Sequence, residues 1–220
     1  MMAAMYLDRT DAGKKLAARL VSEEYPDPVV FALPRGGVPV AVEVARALGA
    51  PLDLLLVRKL GMPGHAELAA GAVVEGGGIV FNDAILAHYR LTQGDFAGAI
   101  AEKEAEIAAR RRAWLDGREP ADIAGRTAIV VDDGIATGAT LKAALKGLRR
   151  MNPARIVAAV PVGPADTVDQ LRALADDVIC LDCPEPFYAV GGHYADFTQT
   201  SDAEVARLMQ DYRAEQEDKK

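Results

Sequence analysis

The chain has 220 residues, half of them hydrophobic, and a formal net charge of −7. That is enough apolar content for one sizeable core in a single α/β domain over 1–220, while the acidic balance excludes a general nucleic-acid binder, which needs clustered Lys and Arg. The longest apolar runs, 51–57 and 156–162, are far too short to span a membrane, and the N-terminus shows no basic flank, so a cytoplasmic protein without signal peptide or anchor is expected.

In chain order, a helix is expected over 11–23, with Leu16, Ala17, Leu20 and Val21 as its apolar stripe. Residues 29–33 are continuously apolar, as in a buried parallel strand. They stop at Pro34, Arg35, Gly36 and Gly37, and a helix over 38–48 ends at Gly49. The next strand is 52–57. After Arg58 and Lys59, the Gly- and Pro-rich stretch 60–65 reads as a mobile loop, with 62–67 poorly ordered in the absence of ligand. Short strands at 71–74 and 79–81 flank three glycines as a hairpin. A helical insertion at about 83–118 follows, in which Arg110, Arg111 and Arg112 come after Glu102, Glu104 and Glu106 and read as a solvated, ion-paired face.

Further strands are expected at 128–131, 155–162 and 178–181, and further helices at 141–148, 165–175 and 202–212, with 215–220 frayed. Alternating strands and helices make a doubly wound, mainly parallel sheet of about five strands flanked by helices. Cys180 and Cys183 form a C-x-x-C with only His193 nearby, so two reduced, packed thiols are expected rather than a zinc site. A dinucleotide-dependent oxidoreductase is set aside, because no G-x-G-x-x-G follows the first strand.

The most informative stretch is 127–140. Ala128 to Val131 are apolar and β-favouring, and the acids Asp132 and Asp133 follow side by side. Gly134, Thr137, Gly138 and Thr140 then supply hydroxyls and open backbone N–H groups ahead of an amphipathic helix. A strand, an anion nest and a helix N-terminus in succession suit a ligand with a phosphate at one end and a pair of hydroxyls at the other. The plain alternative is an ordinary strand-to-helix turn with solvated aspartates.

This segment resembles the phosphoribosyl-diphosphate (PRPP) motif of type I phosphoribosyltransferases. The resemblance implies that Asp132 and Asp133 hold the ribose hydroxyls and that Ala136, Thr137, Gly138, Ala139 and Thr140 cradle the 5-phosphate. Gly134 departs from the aliphatic residue usual in the family and is expected to loosen the turn. Ala136 replaces the second acid of members that use 6-oxopurines, so no side chain there can move a proton, which weighs against guanine or hypoxanthine.

Arg35, Gly36 and Gly37 resemble the family's pyrophosphate loop, which implies a cis peptide at Pro34–Arg35. Arg58 and Lys59 are similar to the basic pair opening the catalytic flexible loop, where they would act on the departing pyrophosphate. Residues 184–191 resemble a small C-terminal base-binding hood, in which Val190 and one of two rings, Phe187 or Tyr188, would meet the base; plain core packing is the alternative. Asp196 is similar to a metal-proximal acid. The implied cofactor is Mg2+, held by Asp132, Asp133 and Asp196 indirectly or through substrate. The implied activity is transfer from PRPP to a nitrogen acceptor such as a purine nucleobase, with a homodimer and no membrane partner. A non-catalytic PRPP- or nucleotide-sensing module of the same fold is the second reading.

Overall fold

The computed structural model describes residues 5–63 and 65–218, without the side chains of Ala66 and Glu67. Five strands form one parallel sheet: β1 (Pro28–Ala32), β2 (Leu52–Leu54), β6 (Thr127–Val131), β7 (Arg155–Val162) and β8 (Asp177–Asp182), in the order β2-β1-β6-β7-β8. This is the doubly wound sheet expected of the sequence. Because successive strand residues face opposite ways, the continuous apolar runs serve two cores. Val30, Ala32, Ile129, Val131, Val157 and Ala159 pack with α1 (Arg9–Leu20), α2 (Gly37–Leu48) and α7 (Asp202–Glu217). Val29, Phe31, Ala128, Val130, Ile156 and Ala158 pack with α5 (Ala139–Arg149) and α6 (Ala165–Leu171).

The helix starts follow from their caps. Asp8 accepts from the Asp11 N–H at 2.8 Å, so α1 begins two residues earlier than its apolar stripe suggests. Ser201 caps α7 in the same way, and that helix runs on to Glu217, through residues expected to fray. At the other extreme α6 stops at Leu171, short of the expected 175.

The main departure lies between β2 and α5. The expected strand 52–57 breaks after Leu54, and β3 (Val57–Met62), β4 (His65–Val74) and β5 (Gly78–Phe81) make a separate three-stranded antiparallel sheet. The stretch expected as a loop over 60–65 is therefore mostly strand, since ladder pairing with β4 overrides the weak β-propensity of Gly61; the register shifts at Leu60, Gly61 and Met62 mark where it does so. Gly64 lies outside the described residues. The helical stretch after β5 consists of α3 (Asp83–Tyr89), a 3₁₀ turn at Gln93–Phe96 and α4 (Ala97–Leu115).

Candidate functional site

In a parallel sheet with helices on both faces, every strand delivers its carboxyl end to the same edge. There β1 leads into Arg35, Gly36 and Gly37, and β6 leads into Asp132 and Asp133. The peptide Pro34–Arg35 is cis, as the resemblance implied. The two turns touch: a Cβ on Gly36 would lie 2.1 Å from Asp133 Oδ2, and one on Gly37 would lie 2.8 Å from the Val131 carbonyl oxygen. Any side chain at either glycine would push the turns apart, so close approach explains both.

Asp132 and Asp133 are half-buried, and the Asp133 N–H donates to Asp132 Oδ1 at 2.9 Å. Burial first, and then the neighbouring Asp133 charge, push the Asp132 carboxyl well above the usual carboxylate range. Asp133 is compensated by a residue that the sequence reading did not single out. Arg9 Nε donates to Asp133 Oδ2 at 2.7 Å, with side-chain exposures of 11% and 14%. The pair lies 124 positions apart in sequence, and an Arg after a helix cap carries no spacing signal that would betray it. Tyr194, just after the hood segment, donates its hydroxyl to the Asp133 carbonyl at 2.5 Å.

The phosphate-type turn begins α5. Gly138 is left-handed at φ 66°, and the Ala139 N–H donates to Thr137 Oγ1 at 3.4 Å. Thr167 Oγ1 donates to the Ala136 carbonyl and Lys142 Nζ to the Thr137 carbonyl, both at 2.9 Å, which pin the loop from outside. Ala136, Thr137, Ala139 and Thr140 are exposed. Gly134 does not loosen the turn as expected. Its φ of 151° is unsuited to a side chain, and a Cβ would lie 2.6 Å from Val190 Cγ1, so the hood packs directly on this glycine.

The remaining candidates are dispersed around this edge. Arg35 reaches Asp202 at the start of α7, at 3.3 Å. Arg58 and Lys59 lie on β3 rather than opening a loop, and alternation sends them to opposite faces. Arg58 Nε approaches Glu106 of α4 at 3.5 Å, and burial lowers its pKa. Lys59 lines a groove of about 430 Å³ with Ala139, Thr140, Lys142 and Lys146.

In the hood, Phe187 stacks on His193 with ring centroids 5.2 Å apart, whereas Tyr188 is 86% exposed. Asp196 accepts from Thr198 N–H at 2.8 Å and from its hydroxyl at 2.6 Å; these contacts hold its carboxyl below the usual range. Cys180 is half-buried and hydrogen-bonded to the Asp182 carbonyl, but Cys183 is exposed, which corrects the expectation of two packed thiols.

Among the described residues, no three of His, Cys, Asp and Glu gather into a cage for a metal. Mg2+ needs no such cage, because it takes one or two carboxylates and completes its shell with waters and substrate phosphates. Asp132 and Asp133 fit that donor set. No described helix is long and apolar enough to cross a membrane.

Residues 3–197 match the family model described as a phosphoribosyl transferase domain. The chain is 46% identical over 205 residues to "Putative phosphoribosyl transferase Rv0571c" of Mycobacterium tuberculosis (strain ATCC 25618 / H37Rv), an alignment covering 93% of this chain and 46% of the relative. The same figures hold for MT0597 of strain CDC 1551 / Oshkosh, so the chain spans about half the length of the curated relatives it matches. The crystal structure of TT1426 from Thermus thermophilus superposes with a TM-score of 0.82 at 40% identity, over 94% of this chain and 98% of that one. AQ2163 of Aquifex aeolicus, with a TM-score of 0.50 at 12% identity over 83% of this chain and 78% of that one, shares the fold alone.

Proposed function

Because the chain belongs to the phosphoribosyl transferase family, we propose that it transfers the 5-phosphoribosyl group of PRPP to a nitrogen acceptor, a nucleobase, and releases pyrophosphate. The observation that carries this reading is the contact between the Gly36 turn and the Asp133 carboxylate, beside the open 136–140 turn. An acid pair for hydroxyls thereby stands next to two backbone turns suited to anions.

In this reading the C1–oxygen bond of PRPP breaks and its electron pair leaves with pyrophosphate. The acceptor nitrogen forms the new bond to C1 and gives its proton to solvent. Asp132 and Asp133 accept hydrogen bonds from the ribose hydroxyls. Ala136, Thr137, Gly138, Ala139 and Thr140 anchor the 5-phosphate, so that C1 is held in place. Arg35 with the Gly36 and Gly37 backbone, and Arg58 and Lys59, stabilise the negative charge that develops on the leaving group. Asp132 and Asp133 would hold Mg2+, which would supply further charge neutralisation there. Asp196 would take part indirectly or through the substrate.

Tyr188 is the ring we assign to the base, since Phe187 is already stacked on His193 and Tyr188 is exposed; Val190 would flank it. Ala136 gives the purine ring no proton-transfer partner, which disfavours 6-oxopurines. The reading takes 1–220 as one such domain in which the helices between β5 and β6 are an insertion.

Calorimetry with PRPP and Mg2+ tests the site. Asp132→Asn with Asp133→Asn should weaken binding by about tenfold or more, as expected for lost hydrogen bonds to charged groups; unchanged affinity would sink the assignment. A second reading, a PRPP- or nucleotide-sensing module without turnover, is favoured by one observation: Arg58, which should meet the leaving group, is turned to Glu106. A screen of nucleobases with PRPP, scored by pyrophosphate release, separates the two: release with a base supports the transferase, and release with none favours the sensor.

A further inference from the structure

Arg9 stands outside every motif above, yet it is held by three contacts, one of them to Asp133. Its Nε meets Asp133 Oδ2 at 2.7 Å, its Nη1 donates to the Thr198 carbonyl at 2.7 Å, and its guanidinium carbon lies 3.9 Å from the centre of the Phe197 ring. Asp8 caps the helix that begins with Arg9, which fixes the backbone from which the side chain projects. A planar fork with one donor on a carboxylate, one on a carbonyl and a face on an aromatic ring has little freedom left; a lysine could satisfy the charge but not the fork.

We infer that Arg9 is a positioning residue for Asp133: it holds that carboxylate in the one orientation from which it can serve a ribose hydroxyl, and it ties Asp133 to Thr198 and Phe197, in the segment that follows the hood. Two adjacent carboxylates in a poorly solvated turn repel each other, and an uncompensated Asp133 would swing toward water. Two contacts oppose this. Arg9 draws Oδ2 toward itself, and Gly36 lies so close to the same oxygen that even a methyl group there would collide. Tyr194 fixes the Asp133 carbonyl, so backbone and side chain are restrained by different residues. The ring under Arg9, Phe197, also packs against Gly191, next to Val190, so a displacement of the hood reaches Asp133 through Arg9.

This inference rests on the phosphoribosyl reading, and its test separates the two. PRPP with Mg2+ is titrated calorimetrically into the whole chain as wild type, Arg9→Gln, Arg9→Lys, Asp133→Asn and the Arg9→Gln/Asp133→Asn double variant, each also followed through thermal unfolding. The expected result is that Arg9→Gln weakens PRPP roughly tenfold or more, that Arg9→Lys, which restores the charge but not the fork, recovers only part of the loss, and that Arg9→Gln costs little further affinity once Asp133 is Asn.

Wild type that binds while Arg9→Gln binds equally well overturns the inference alone. So do Lys and Gln variants equally weak with additive losses in the double variant, which would make Arg9 a mere staple of the segment that follows the hood. Absence of binding by wild type overturns the phosphoribosyl reading and the positioning role with it. Should Arg9→Gln fail to fold, Asp133→Asn in the same chain should restore the thermal transition by removing the uncompensated charge; failure to restore it also overturns the inference.

Discussion

At the scale of single residues, the site is shaped as much by atoms that are absent as by charges that are present. Gly36, Gly37 and Gly134 let three turns meet where any side chain would collide. Gly134→Ala combines a φ of 151° with a clash against Val190, and it should lower stability by about 1–3 kcal/mol in urea unfolding. Ring assignment is open to the same kind of check. Tyr188→Ala should weaken the acceptor base about tenfold or more, by loss of stacking, and leave the urea midpoint unchanged. Phe187→Ala should instead lower the midpoint, since that ring packs on His193 and the hood cluster.

At the scale of elements, the antiparallel sheet and α4 are stitched to the parallel sheet by one buried ion cluster. Arg111 Nη2 reaches both Asp53 oxygens at 2.9 and 3.1 Å, its Nη1 reaches Glu75 Oε2 at 3.0 Å, and its Nε donates to the Arg118 carbonyl. The basic run containing Arg111 reads in sequence as a solvated face; the middle arginine is in fact 7% exposed and structural. Arg111→Ala should cost about 3–5 kcal/mol, because it strands the buried Asp53 carboxylate and leaves Glu75 without its partner.

Burial, opposed by Arg111 and reinforced by Asp53, raises Glu75 to about 7 from 4.5. Between these values the folded chain retains a proton that the unfolded chain releases. Its contribution to stability is therefore full below about pH 4.5 and is lost as the pH rises through 7. Urea midpoints measured across that window should fall with rising pH, and Glu75→Gln should flatten the slope.

At the scale of the whole molecule, a ligand that joins the edges of β1, β6 and the hood should stabilise the fold as a unit. PRPP with Mg2+ at a hundred times its dissociation constant should add about 2.7 kcal/mol, read as a raised melting temperature. No shift with excess PRPP and Mg2+ would count against binding of PRPP to the folded chain. The Asp132–Asp133 strand end, the parallel sheet and the glycine turns were legible in the sequence, because each is written in consecutive residues: an apolar run, an acid pair, small residues that free the backbone. Tertiary structure alone decided the rest. Pairing with β4 turned the Gly-rich stretch at 60–65 largely into strand, alternation on β3 parted Arg58 from Lys59, and folding brought Arg9 across 124 positions onto Asp133. The physical reason is common to all three: each outcome depends on partners remote in sequence, and local composition carries no record of which partner will arrive.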